Sequence, residues 1–77
     1  MEAILKFNLP EDNQEFTLAT NGLNFWSVLW GLDQHLRSLT KYASDDTPES
    51  TVNALQEVRD KLYELMNENN VDFGMVE

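Results

Sequence analysis

Two runs of apolar residues, each spaced three and four apart, constrain this chain more than any other feature. The first is Phe25, Val28, Leu29, Leu32, Leu36 and Leu39; the second is Val52, Leu55, Val58, Leu62 and Leu65, with Met66 beside it. Side chains at those intervals share one side of a helix, and each stripe must be covered by something. ASDDTPE, between the runs, breaks the pattern. Thr47, Pro48 and Glu49 then supply a cap, a proline for the first helical position and an acid for the positive end of the dipole. Asn24 suits the cap of the first helix and Asn69-Asn70 the stop of the second. The fold expected is mainly α: helices over about 24–43 and 48–69, joined by a short connection and packed as an antiparallel hairpin. Gly31 within the first helix costs about 1 kcal/mol relative to alanine, which implies a close neighbour there.

The remaining segments are shorter. AILKFNL (3–9) alternates, with Ala3, Leu5, Phe7 and Leu9 on one side, and predicts a strand ended by Pro10. PEDNQEFTLATNG carries start and stop signals for a short helix over about 10–20, with Phe16 and Ala19 facing inward. Its alternative is a strand at 15–20, favoured by Thr17 and Thr20. VDFGMVE reads as an extended tail. A lone strand cannot satisfy its own backbone groups, so residues 3–9 need this tail, a hairpin partner or a second copy.

The first long helix carries a second ridge. At about 100° per residue, Trp26, Trp30, Asp33 and Arg37 fall roughly a quarter to a third of a turn from the leucines. The indoles are four apart and touch, and Asp33 and Arg37 are spaced for an ion pair. The ordinary role for such a ridge is to complete the core, with Leu5, Phe7, Phe16 and Leu18 lying over the indoles. The alternative leaves at least one indole in an exposed patch that marks a contact site, since Trp and Arg are frequent binding anchors. On the second helix Glu57, Asp60, Glu64 and Glu68 line up opposite the leucines. They form a solvated face or, alternatively, a row of carboxylates imitating nucleic-acid phosphates, a pattern that Arg59 and Lys61 interrupt.

Size and charge narrow the function. Seventy-seven residues make one domain, 1–77, near the lower limit for folding alone. With no cysteine and one histidine, disulfides are excluded and structural zinc is disfavoured, so self-association, with a dimer favoured, is the expected supplement. Fourteen acidic residues against five basic ones leave a net charge of −9, which disfavours direct nucleic-acid binding and favours basic protein surfaces. No segment reads as a signal peptide or a membrane span. Asp33 and His35, two apart on a helix, point in nearly opposite directions and cannot share acid/base work. Asp45-Asp46 lacks calcium-loop spacing, and no phosphate-cradling glycine loop is present. Neither an enzyme nor a cofactor is expected.

NLPEDNQEF, then NG, LWGLDQHLRS, KY and VRDKLYELMNE together resemble a family of short bacteriophage proteins with no assigned activity. The likeness spans about residues 7–69, and LW-x-x-DQ-x-LR is its specific part. It implies a phage accessory product in the cytoplasm of an infected bacterium, and helix over residues 10–21. The expectation is a non-enzymatic protein that inhibits or modulates a host protein through Trp26, Trp30, Asp33 and Arg37. Two alternatives stand beside it: an oligomeric sponge for a nucleotide signal, and the acidic nucleic-acid mimic.

Overall fold

A computed structural model describes residues 1–76. It contains three helices, α1 (Asn13–Thr20), α2 (Gly22–Thr40) and α3 (Glu49–Glu68), followed by a 3₁₀ turn at Phe73–Met75. Among the described residues there is no strand. The expected strand at 3–9 is therefore corrected: the segment is irregular, and Ile4, Leu5 and Leu9 are exposed. Its preferred partner, the tail, is not extended but curls at Phe73 toward α2.

Residues 15–20 are helical, which removes the alternative strand there. Helix α1 starts at Asn13 rather than Pro10, because residues 9–12 form a turn closed by Asp12. The Asp12 amide donates to the Asn8 carbonyl at 2.7 Å, and the Asp12 carboxylate accepts the Asn8 amide at 2.9 Å. Thr17 and Thr20 are accommodated by donating their hydroxyls to the carbonyls of Asn13 and Phe16, each at 2.9 Å. Helix α2 starts two residues before the expected cap. Asn24 lies inside it, and its side-chain amide donates to the Asn21 side chain at 3.0 Å.

Helix α3 ends in a Schellman turn. Asn70 takes the left-handed conformation, φ 58°, a conformation asparagine tolerates better than most residues. The Asn70 amide donates to Asn67 O at 3.1 Å and the Val71 amide to Met66 O at 3.0 Å. These two bonds reverse the chain and send Phe73 back across the helices.

Helices α2 and α3 pack against each other, and their contacts run in opposite chain order. Asp33 meets Arg59 and Tyr63, whereas Trp26, nearer the start of α2, meets Phe73 beyond the end of α3. The buried side chains are Asp33 and Leu36 on α2 and Met66 on α3. The contact face is thus centred near Asp33, roughly 80° from the middle of the leucine stripe. Most of the stripe expected inside is consequently outside: Phe25, Val28, Leu29, Leu32 and Leu39 are exposed, Val28 at 69%, and only Leu36 is buried. Nor does anything pack on Gly31, where a Cβ would meet no atom within 4 Å.

The molecule is long and thin, 55 × 28 × 19 Å, with a Cα radius of gyration of 17.3 Å. A compact chain of this length would have about 11–12 Å. No helix among the described residues is long and apolar enough to cross a membrane.

Candidate functional site

Successive turns of α2 place Trp26 above Trp30, and the rings stack at 5.8 Å with an 8° interplanar angle. Phe73, delivered by the Schellman turn, sets its edge against both, at 6.3 Å from Trp26 and 5.2 Å from Trp30. It also meets Tyr63 of α3 at 6.0 Å. Four aromatic rings from two helices and the tail therefore form one cluster, the geometry that ring quadrupoles favour for edge-to-face pairs. Trp26 is half-buried, and its indole N–H is enclosed without a hydrogen-bond partner. Trp30 remains 41% exposed.

The N-terminal segment takes no part in covering the indoles as expected. Phe7 and Phe16 pack on each other at 5.5 Å, while Leu5 and Leu18 are exposed. Phe73 is silent in the sequence because a single phenylalanine in a seven-residue tail gives no helical spacing that would aim it at α2. Asn69-Asn70 before it signals only the end of the helix.

Below the rings lies a polar lock. Asp33, 1% exposed, pairs with Arg59 Nε at 2.8 Å rather than with Arg37 on its own helix. Its second oxygen accepts the Tyr63 hydroxyl at 3.0 Å and the Gln34 amide at 3.3 Å. Arg59 in turn donates to the Tyr63 hydroxyl at 3.4 Å, so both partners from α3 are themselves linked. Burial pushes the Asp33 carboxyl up, but the hydrogen bonds from Arg59 and Tyr63, with the guanidinium charge, outweigh it and hold the group below its ordinary value. Arg59 is raised, chiefly by its bond to Asp33. The Asp33 carboxylate thus faces inward and joins the helices. The spacing that suggested Arg37 could not reveal that another helix presents a better cation.

Arg37 is half-buried and lies over the Tyr42 ring, 6.0 Å from its centroid. It shares the ridge of Trp30 two turns away. The acidic row Glu57, Asp60, Glu64 and Glu68 is exposed. Gln56 donates to Asp60 at 2.9 Å, and Lys61 pairs with Glu64 at 3.4 Å in the open. Two of these acids do join the aromatic cluster. Asp60 and Glu64 line, with Tyr63 and Phe73, an open groove of about 440 Å³. Phe73 joins the two: it lines this groove beside Asp60 and Glu64 and also packs on both indoles.

His35 is exposed, and no group of three or more potential metal-ligating side chains occurs among the described residues. Compared with family models, curated proteins and solved structures, the chain finds no match in any of the three.

Proposed function

We propose that this chain is a non-enzymatic protein-binding module whose working surface is the aromatic ridge of α2 and the acidic groove beside it. The antiparallel hairpin of α2 and α3 is the rigid body, and Asp33 locks it. Trp30 and Arg37 anchor a partner, and Trp26 stacks on Trp30 to hold its ring. The partner is a protein with a basic surface, since a lysine or arginine can lay its stem on Tyr63 and Phe73 and its charge against Asp60 and Glu64. The surrounding negative charge speeds encounter. Following the resemblance to phage proteins, the module inhibits or modulates a host protein in the bacterial cytoplasm.

The observation that carries this reading is the stacked Trp30, 41% exposed and packed on Phe73, which itself lines the carboxylate-bearing groove. Large rings held rigidly in the open are the usual anchors of protein contacts. A nucleotide sponge would bind phosphates through Arg37, Lys41 or Lys6, since Arg59 pairs with buried Asp33; three such cations in a chain of net charge −9 make it the second reading. The test is affinity capture from lysate with wild type, Trp30→Ala and the charge variant Asp60→Asn/Glu64→Gln. A single partner retained by wild type, bound at least tenfold more weakly by both variants and released by salt, is the expected result. If the helical Trp30→Ala protein holds its partner as well as wild type does, the ridge is not the docking site.

A further inference from the structure

The leucine stripes pose a separate question, because most of their area lies away from both the α2–α3 contact and the indoles. Helix α2 turns Val28, Leu32 and Leu39 outward, and α3 does the same with Val58 and Leu65, with Leu62 half-covered. On each helix these residues sit roughly 60–140° from the contact face, and because the two helices run in opposite directions both ridges emerge on the same side. Trp30 lies on the opposite side. The result is one apolar surface two helices wide. A groove of about 450 Å³ runs along it, lined by Ala54, Val58, Leu62 and Leu65, with Glu57 and Lys61 at its margin.

We infer that this face is the contact between two copies of the chain, closing the pair of hairpins into a four-helix bundle. Area is the first argument. The chain exposes 6544 Å², whereas a compact monomer of 8.9 kDa exposes about 4,800 Å². The excess is about double the 800 Å² or so that each partner gives up in a stable dimer. Charge is the second. The centre of the face carries no carboxylate, so two chains of net charge −9 meet here without apposing their acids, and a basic partner gains nothing here. The third is self-complementarity. A two-fold contact brings each margin against its own symmetry mate, and Glu57 with Lys61 supplies one charge of each sign to pair across it. Residues 3–9 of the same chain are the rival cover; Phe7 packs on Phe16 of α1 instead, and the rest of the segment is exposed.

Sedimentation equilibrium of the pure protein over a wide concentration range, joined to methyl NMR of the wild type, tests this. The expected result is reversible association to twice 8.9 kDa, with the methyls of Val28, Leu32, Val58 and Leu65 shifting on dilution while those of Ile4 do not. Leu32→Ala and Val58→Ala, each confirmed helical, weaken the dimer tenfold or more, and Trp30→Ala leaves it unchanged. A monomer at every concentration overturns the inference, and so does a dimer lost with Trp30 but kept by both other variants. Nuclear Overhauser contacts from Ile4 or Leu5 to Val58 within a monomer also overturn it, by assigning the cover to the chain's own first segment. Because only pure protein is used, failure here leaves the lysate test untouched, and the converse holds.

Discussion

Asp33 shows how much one side chain can do in a molecule with so little interior. Its carboxylate takes bonds from Arg59, Tyr63 and Gln34, and among the described residues Asp33 is the one buried acid. Removing the carboxylate charge weakens these bonds while Arg59 stays partly solvated, a loss of about 2 kcal/mol. A domain this small holds only on the order of 5 kcal/mol in total. Asp33→Asn should therefore lower the urea midpoint sharply, and a midpoint within error of wild type would show that the pair does not join the helices. The same group sets an acid limit. Its folded pKa is depressed, so its contribution is fully present above the ordinary value of 3.8 and is lost as pH falls through the lower folded value. Wild-type stability should decline across that window, and Asp33→Asn should flatten the decline. Titration of the unfolding free energy between pH 6 and the acid limit (about pH 2) checks the sign.

At the scale of elements, sequence periodicity indicated helices correctly where the apolar spacing was long, as in α2 and α3, and mistook the geometry between them. Stripe and contact face differ by roughly 80° because the contact is built around the cross-helix pair of buried Asp33 with half-buried Arg59 and not around the leucines. No single-helix pattern contains that information, since Arg59 lies 26 residues away. The strand at 3–9 failed for a similar reason: alternation is local, whereas a strand needs a partner that Phe73 withdrew by turning toward the indoles. Of the candidate site, Trp26 and Trp30 were legible as a stacked pair, Asp33 was legible as a residue but not in its role, and Phe73 and Tyr63 were silent. Gly31 is instructive in the other direction. It suggested a close neighbour and has none, so Gly31→Ala should stabilise the helix by about 1 kcal/mol, read as a rise in thermal midpoint. A drop would mean that some partner does approach that side.

For the whole molecule, thinness is the organising property. Two helices can hide one shared face, and the chain has three to dispose of: the locked contact, the aromatic ridge and the leucine surface. Assigning the first to the monomer, the second to a basic partner and the third to a second copy accounts for the elongated shape and the excess exposed area together. It also explains why the acids lie where they do, beside the aromatic groove and away from the centre of the leucine face. The two outer surfaces must then work independently, and that is open to direct measurement. Trp26→Phe keeps a ring in the stack while removing the unpartnered indole N–H, leaving Trp30 as sole reporter. Iodide quenching of Trp30 in that variant, followed across the concentration range in which the chain associates, should show a reachable indole whose quenching constant does not change. An indole shielded from iodide in the monomer, or one that becomes shielded as copies associate, would contradict the division of the molecule into a docking side and a pairing side.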